Sequence, residues 1–216
     1  MIPTENSIIS IQEIIRTKSS LIMDFDGTIA DTSKVHSKAF KEIFREYGIE
    51  FDYKRIAGMS TKDAISQCLN ISNTQMNKII LNKLVSKKQY IARDLIKRTD
   101  LVKSIPGSIQ FIKWAKKFFH LSIASSGSKE TVKLSLDKLG ILNYFQIVVC
   151  SEDVQRSKPE PDIFLETMKK GSFKRKECII FEDSDAGIKA AKASKIDYID
   201  IRNQSFESIN QMLEIS

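Results

Sequence analysis

The sequence predicts an α/β fold in which a parallel, Rossmann-like sheet is covered by helices on both faces and is interrupted by an all-helical insert. The chain contains five short apolar runs of strand length, and four of them are followed by helical patterns. One long interval after the first run contains helical patterns only. The predicted strands span residues 21–25, 121–124, 147–150, 178–181 and 198–201.

The helices after the strands are predicted from apolar residues that recur every three to four positions. After the second strand, Val132, Leu136 and Leu139 recur at this spacing, and Gly140 supplies a stop signal. Residues 161–171, after the third strand, show the same pattern and also end at a glycine. Strands that alternate with helices are typical of parallel sheets, whose crossover helices cover both faces.

The interval 33–103 breaks this alternation. Its first helical pattern consists of Val35, Ala39, Phe40, Ile43, Phe44 and Tyr47. Further helical patterns cover residues 64–69, 76–84 and 87–96, and no strand candidate lies among them. We therefore predict a discontinuous α/β core of residues 1–32 and 104–216, and a helical domain of residues 33–103.

The composition is that of an ordinary soluble globular protein. Of the 216 residues, 42% are hydrophobic and 28% are charged, with 8 glycines and 4 prolines. The net charge of +7 comes mainly from scattered lysines, without an aromatic-interleaved basic patch or a nucleic-acid motif. We therefore expect small anionic ligands and no nucleic-acid partner.

The sequence indicates neither a membrane segment nor a disulfide framework. No apolar run approaches the roughly 20 residues of a membrane helix. Polar residues, including Glu13, interrupt any signal-peptide core within residues 1–20. Cys68, Cys150 and Cys178 are far apart and form no metal-binding pair. We expect a cytoplasmic protein with no membrane or obligate protein partner, in which the segment before Ser20 packs against the core.

Polar side chains follow four of the five predicted strands. In chain order they are Asp24 and Asp26, Ser125 and Ser126, Lys158, and the acidic group Glu182, Asp183 and Asp185. Because ligands bind outside the carboxyl ends of parallel strands, we expect these side chains to form one site. Asp185 could instead cap the helix that follows it.

The acidic residues in this set suit a divalent cation. Asp24, Asp183 and Glu182 offer the hard oxygen ligands of Mg²⁺, which binds through a few carboxylates, water and substrate phosphate. The sequence therefore predicts Mg²⁺ as a cofactor.

The remaining residues suit phosphoryl transfer. Lys158 and the hydroxyls of Ser125 and Ser126 can bind an anionic phosphoryl group. An aspartate within reach of the phosphorus can act as nucleophile, and Asp26 can protonate the leaving oxygen and then deprotonate water.

Four motifs that carry these residues resemble the haloacid dehalogenase-like superfamily, in its branch of sugar-phosphate phosphatases and β-phosphoglucomutase-like enzymes. The motifs are DFDGTIADT, IASSGS, RSKPEPDIF and FEDSDAGIKAA, in the family's order across nearly the whole chain. The resemblance implies that the helical insert is the family's cap, which closes over the core and screens the site from water.

The same resemblance implies a role for each core residue. Asp24 is implied as the nucleophile and Asp26 as general acid and base, with the main-chain carbonyl of Asp26 also a metal ligand. Ser125 is implied to bind phosphate, Lys158 to steady the nucleophile and the phosphate, and the acidic pair of the last motif to serve the Mg²⁺ site.

Three features of the helical insert also resemble the family. His36 resembles a histidine near the cap hinge, and the loop 57–64, with Ser60 and Thr61, resembles the substrate-specificity loop. Lys88 resembles a cap lysine that reaches the active site. His36 could instead simply pack at the hinge, and Lys88 could lie on a solvated face.

One departure separates two candidate activities. Where the mutases have an arginine directly after the loop serine, this chain has Thr61, and Lys62 is the nearest cation. We therefore hypothesise a Mg²⁺-dependent phosphatase that acts on a small phosphorylated metabolite, a sugar phosphate above all, through an aspartyl-phosphate. A β-phosphoglucomutase-like mutase is the alternative, and a non-catalytic regulatory protein with the same fold is a more remote one.

Overall fold

The computed structural model describes residues 11–72 and 77–215, and it contains the predicted parallel sheet. In chain order its strands are β1 Ser20–Met23, β2 Ala30–Asp31, β3 Lys103–Ser104, β4 His120–Ala124, β5 Ile147–Val149, β6 Cys178–Glu182 and β7 Asp197–Asp200. The main sheet has the order β5-β4-β1-β6-β7, and all of its strand pairs are parallel. All five predicted strands are therefore confirmed.

The position of β1 at the centre of the sheet explains why its own predicted run begins with successive apolar residues. Leu21 and Met23 pack into the hydrophobic cluster on one face of the sheet, and Ile22 packs into the cluster on the other. A strand buried on both faces requires apolar residues at successive positions, since neighbouring side chains point to opposite faces. The end of β1 is thus fixed at the centre of the fold.

Ten α-helices lie within the described residues. They are α1 Ile11–Arg16, α2 Ser33–Arg45, α3 Tyr53–Ile56, α4 Thr61–Ile71, α5 Lys78–Arg98, α6 Ser108–Ala115, α7 Lys129–Lys138, α8 Asp162–Lys170, α9 Asp185–Ser194 and α10 Phe206–Met212. Across residues 11–72 and 77–215, none of them combines the length and the apolar character that a membrane span requires.

Helices cover both faces of the sheet. Buried residues of α1, α6, α7 and α10 join the first cluster, as Ile15 and Phe111 do. Buried residues of α8 and α9, such as Phe164 and Ala190, join the second. The predicted three-layer α/β class is therefore confirmed. The part of the segment before Ser20 that is described, α1, packs against the core as expected through Ile15.

Helices α2 to α5, which we call the helical insert, have a hydrophobic cluster of their own. Phe40 and Phe44 lie one turn apart on α2, with ring centroids 5.9 Å apart, and pack with residues of α4 and α5 such as Ile65 and Leu84. The opposite side of α2, with Val35, packs into the first cluster of the core. Side-chain packing between α2 and the core therefore continues across the domain boundary that we expected at residue 33.

The local predictions for this region need three corrections. The short strand β3 begins at Lys103, inside the interval predicted to lack strands, and pairs with β2 in an antiparallel ribbon. The patterns 76–84 and 87–96 belong to one helix, α5, which begins at Lys78, while Met76 lies outside the described residues. Tyr47 lies beyond the end of α2. Two-residue strands have no periodicity to detect, and Tyr47 matched the helical spacing by chance.

Candidate active site

Asp24 lies at the carboxyl end of β1 in a buried ion-pair cluster. Nζ of Lys158, in the loop between β5 and α8, lies 2.5 Å from Oδ1 of Asp24 and 2.7 Å from Oε2 of Glu182. All three residues are buried. Burial raises the pKa of Asp24 well above its usual value and Glu182 raises it further, while Lys158 opposes both. Burial acts to lower the pKa of Lys158, but the two carboxylates outweigh burial and raise it. Lys158 is therefore held as an ammonium group.

Three acidic residues could hold a metal ion beside this ion pair. One carboxylate oxygen each from Asp24, Glu182 and Asp183 lies within 4.8 Å of the others. Glu182 is already engaged, because Oε2 contacts Lys158 and Oε1 accepts the backbone N–H groups of Asp183 and Ser184. Asp24 and Asp183 each keep one oxygen that accepts no hydrogen bond within the described residues. The donor set fits a hard divalent cation.

The pKa of Asp183 is also shifted. Burial and the neighbouring Glu182 raise it to about 6, although the hydroxyl of Thr28 donates a hydrogen bond of 2.8 Å to Oδ1 and opposes this. A nearby cation would favour the carboxylate form.

Two glycines make room for these carboxylates. Gly27 has a φ of +98°, and a Cβ there would lie 2.8 Å from Cγ of Asp183. A Cβ on Gly187 would clash with the carboxylate of Glu182. The turn at Gly27 therefore serves the acidic cluster as well as the backbone, since only glycine combines this φ with such a close approach.

Asp26 lies in a different hydrogen-bond network from Asp24. Its Oδ1 accepts from the hydroxyl of Thr32 at 2.5 Å and lies 3.2 Å from Nε2 of His36, and its Oδ2 accepts from the hydroxyl of Ser125 at 3.2 Å. Burial acts to raise the pKa of Asp26, but the hydrogen bonds of His36 and Thr32 lower it to about 2. In this arrangement Asp26 is a carboxylate at neutral pH.

The network continues into the helical insert. Nδ1 of His36 lies 2.9 Å from Nζ of Lys88, which is 3.4 Å from the hydroxyl of Thr61 and 4.5 Å from the ring centre of Phe40. Burial lowers the pKa of His36, and the Lys88 charge lowers it further. Burial also lowers the pKa of Lys88 to about 8, against the attraction of Asp26. Lys88 is buried, so the alternative expectation that it lies on a solvated helix face is wrong.

The two serines after β4 differ in their bonding. Oγ of Ser125 donates to Asp26 and accepts the N–H of Gly127 at 3.0 Å. Oγ of Ser126 is buried and has no hydrogen-bond partner within the described part of the chain. The hydroxyl of Ser126 is therefore the one left free to meet a ligand.

These residues surround a small cavity between the core and the helical insert. It measures about 40 Å³ and is lined by Asp24, Asp26, His36, Phe40, Tyr53, Ile56, Gly58, Met59, Thr61, Lys88, Ser126 and Gly127. The core contributes acidic groups and Ser126, and the insert contributes Lys88 and an apolar wall. We call this space the catalytic cavity.

Some predicted site residues lie outside this cavity. Ser60 caps α4, where its hydroxyl donates to Oδ2 of Asp63 at 2.6 Å, and it does not line the catalytic cavity. Asp185 is exposed and pairs with Arg202. Other residues of the site had not been selected from the sequence: Thr28, Thr32, Phe40, Tyr53 and Met59. The two threonines belong to the first motif and could have been found there, whereas the apolar residues carry no sequence signal that separates them from ordinary core.

Comparison with known proteins identifies the family. The sequence profile described as haloacid dehalogenase-like hydrolase matches residues 21–201. The chain belongs to this family of hydrolases, as the four motifs predicted.

Relatives with assigned activities fall into two groups. Fructose-1-phosphate phosphatase YqaB of Escherichia coli is 28% identical over 184 residues, which cover 85% of this chain and 96% of the relative. β-Phosphoglucomutase of Bacillus subtilis is 27% identical over 180 residues, which cover 81% and 79%. The crystal structure of β-phosphoglucomutase from Clostridium difficile matches with a TM-score of 0.79 at 22% identity, over 91% of this chain and 97% of the other. The last match supports the fold alone.

Proposed function

We propose that this chain is a Mg²⁺-dependent phosphatase that hydrolyses a small phosphorylated metabolite, a sugar phosphate above all, through an aspartyl-phosphate on Asp24. The observation that carries the proposal is the pairing of Asp24 with the buried ammonium group of Lys158, 2.5 Å away, next to Asp183 and at the edge of the catalytic cavity. An ammonium group at this position favours the ionised form of Asp24, against the effect of burial, and also attracts the anionic substrate.

The first half-reaction forms a bond between a carboxylate oxygen of Asp24 and phosphorus while the bond from phosphorus to the leaving oxygen breaks. Asp26 gives its proton to that oxygen. With a pKa of about 2, Asp26 begins as a carboxylate. An incoming phosphoryl dianion raises this pKa by like-charge repulsion, which favours the protonated form that Asp26 needs in this step.

The second half-reaction needs Asp26 as a base. It takes a proton from water as the water oxygen attacks phosphorus, and the bond from phosphorus to Asp24 breaks, which releases inorganic phosphate. The hydrogen bonds from Thr32 and His36 favour this carboxylate form. Ser125 holds Asp26 from the core side, and Ser126, Thr61 and Lys88 are available to the substrate.

Mg²⁺ would be held by Asp24, Asp183 and the main-chain carbonyl of Asp26. Glu182 would lie behind these ligands. The ion would supply positive charge that offsets the charge of the transferring phosphoryl group. The proposal has three further parts. Residues 33–103 form the cap over the active site. The enzyme binds a small phosphorylated molecule, and it works in the cytoplasm. The names of the sugar phosphatases among the relatives support this substrate class.

A mutase is the second candidate, because β-phosphoglucomutases are among the relatives. Such an enzyme must also hold a second phosphate. Where the mutases have an arginine, this chain has Thr61, and Lys62, which is exposed, lines a larger neighbouring cavity and not the catalytic cavity. This favours the phosphatase.

The test is to incubate the protein with Mg²⁺ and a panel of sugar, polyol and nucleotide monophosphates, following free phosphate and isomerised sugar together. The panel includes β-glucose 1-phosphate with a trace of glucose 1,6-bisphosphate. Phosphate release supports the phosphatase, and glucose 6-phosphate without free phosphate supports the mutase. Asp24→Asn should abolish turnover with an unchanged fold, and retained activity in this variant would refute the mechanism.

A further inference from the structure

A second, larger cavity lies between the helical insert and the core, next to the catalytic cavity. It measures about 520 Å³ and is lined from the insert by residues 60–63, Val85 and Gln89, and from the core by residues 151–152 and 154–157. Thr61 belongs to the lining of both cavities. Both spaces therefore border Thr61, and we call the larger one the outer groove.

The sizes of the two cavities decide what each can hold. A water molecule needs roughly 10–15 Å³ of such space, so the catalytic cavity of about 40 Å³ has room for a few waters. Ligand pockets usually measure about 300–1,000 Å³, and the outer groove, at about 520 Å³, falls in this range. An ester whose phosphoryl group reaches Asp24 must place its leaving group in adjoining space, and the outer groove adjoins.

The helical insert touches the core at Gly58 and is separated from it by the outer groove a few residues later. At Gly58, a Cβ would lie 3.1 Å from Cβ and Oγ of Ser184, so the loop of the insert lies against the core there. Two to five residues further along, at residues 60–63, insert and core are separated by the outer groove.

Most charged groups along the outer groove already have partners. Arg156 forms a bidentate pair with Asp162 at 2.7 and 3.0 Å. Glu152 accepts the N–H of Lys129 at 3.0 and 3.1 Å, and Asp63 accepts from Ser60. Of these charges only that of Arg156 is matched by an ion pair, and Lys62, which is exposed, forms no ion pair within the described residues.

Two side-chain amides that line the groove are also free. The side-chain amides of Gln89 on α5 and Gln155 in the loop after β5 line the groove from opposite sides, and neither is hydrogen bonded within residues 11–72 and 77–215. An amide offers both donors and an acceptor, which matches the donor and acceptor character of hydroxyl groups. Val85 and Val154 add apolar surface for a carbon skeleton.

We propose that the outer groove holds the leaving group of the substrate, and that Gln89 and Gln155 select a hydroxyl-rich leaving group by hydrogen bonding to it from both sides. The proposal rests on the proposed phosphatase function and narrows its substrates to esters of sugars or polyols over aryl esters. Gln89 and Gln155 are specificity residues in this scheme and take no part in the chemistry at Asp24.

The experiment compares kcat and KM of the parent, Gln89→Ala and Gln155→Ala on hydroxyl-rich esters and on p-nitrophenyl phosphate. The hydroxyl-rich probes are glucose 6-phosphate, fructose 1-phosphate and sorbitol 6-phosphate. Loss of one neutral hydrogen bond should raise KM for the preferred probe about 2- to 10-fold in each variant. The kinetics of p-nitrophenyl phosphate should stay within about twofold. Gln67→Ala is the matched control, because Gln67 lies on α4 of the same insert and does not line the groove.

A blocking variant gives a second readout. Gln155 is exposed, so Gln155→Trp fills the groove without disturbing the core. It should suppress turnover of the sugar or polyol ester and of p-nitrophenyl phosphate more than tenfold, because both leaving groups need the space that the tryptophan fills. No loss on either substrate in Gln155→Trp would overturn the role of the groove. Equal losses on both kinds of substrate in the alanine variants would overturn the selection by Gln89 and Gln155, as would a parent that prefers p-nitrophenyl phosphate to all three probes. A parent that releases phosphate from none of these compounds would refute the phosphatase itself.

Discussion

Lys88 and His36, which lie on different helices of the insert, are hydrogen bonded, with Nζ of Lys88 2.9 Å from Nδ1 of His36. An ammonium group only donates, so Nδ1 accepts and the proton of the neutral imidazole is on Nε2. That nitrogen lies 3.2 Å from Oδ1 of Asp26 and can donate to it. A buried chain of polar groups therefore connects α5 to the aspartate that we propose as general acid and base.

Lys88→Met should lower kcat/KM on any phosphate ester. The change removes a charged donor from His36, so that Asp26 is less firmly oriented. Loss of a hydrogen bond to a charged group corresponds to about 10- to 100-fold in rate. The control is Lys87→Met, because Lys87 is the next residue on α5 and only pairs with Glu46 at the surface. The control should stay within about twofold of the parent. Similar losses in both variants would contradict the proposed role of Lys88.

The pH profile should report the same group. Burial lowers the pKa of Lys88 to about 8, so the ammonium group loses its proton as the pH rises through this value. We expect activity to fall above pH 8 in the parent, and the fall to be absent from the residual activity of Lys88→Met. Stability should change in the opposite sense. Between pH 8 and 10.5 the unfolded chain holds this proton and the folded protein does not, so the free energy of unfolding should rise relative to Lys88→Met. If the loss of activity above pH 8 persisted in Lys88→Met, a group other than Lys88 would be its cause.

The strands and the main site residues could be predicted because both leave local signals. A strand buried on both faces is apolar throughout, as Leu21, Ile22 and Met23 are. The site residues directly follow such strands, and the sheet brings their ends together whatever the loops do. The fold class and the family were therefore accessible from the sequence, while the roles of the individual site residues are still predictions.

The residues that the sequence left open depend on how the insert packs onto the core. Lys88 is separated from His36 by 52 positions, and only the packing of α5 against α2 brings them together. Tyr53 and Met59 line the catalytic cavity from a segment without strong periodicity. Ser60 caps α4 and Thr61, the next residue, lines the catalytic cavity, so their roles differ although they are neighbours in the sequence. Such distinctions arise from tertiary contacts, which no local pattern encodes.

Binding of Mg²⁺ should weaken sharply in acid because of Asp183. Burial and Glu182 raise the pKa of this carboxyl to about 6, against a usual value of 3.8. Between these values the folded protein holds a proton that the unfolded chain has lost, so without metal this group contributes stability that declines as the pH rises through 6. Mg²⁺ must displace that proton below pH 6, and its apparent affinity should fall about tenfold per pH unit there. The increase of Tm with Mg²⁺ at pH 7.5 and at pH 5 measures this. An equal increase of Tm at both pH values would show that Asp183 is not a metal ligand. In Asp183→Asn, Mg²⁺ should raise Tm hardly at all.

Gly27→Ala should abolish Mg²⁺-dependent activity, whereas Gly48→Ala should not. Both glycines have positive φ angles, +98° at Gly27 and +61° at Gly48, so each substitution incurs a backbone cost of about 1–2 kcal/mol. The two sites differ in their surroundings. A Cβ at Gly27 would lie 2.8 Å from Cγ of Asp183, while a Cβ at Gly48 would meet no atom within 4 Å. The first substitution must therefore displace the carboxylate that we propose as a metal ligand.

Urea unfolding measures the loss of stability that the two variants share. Phosphate release at saturating Mg²⁺ measures the difference in their activity. We expect similar losses of stability and a difference in kcat/KM of about 100-fold, because a misplacement of 1 Å at a reacting centre can cost about that factor. If Gly27→Ala kept its activity at a stability like that of Gly48→Ala, the close approach of Gly27 to Asp183 would have no bearing on the metal site.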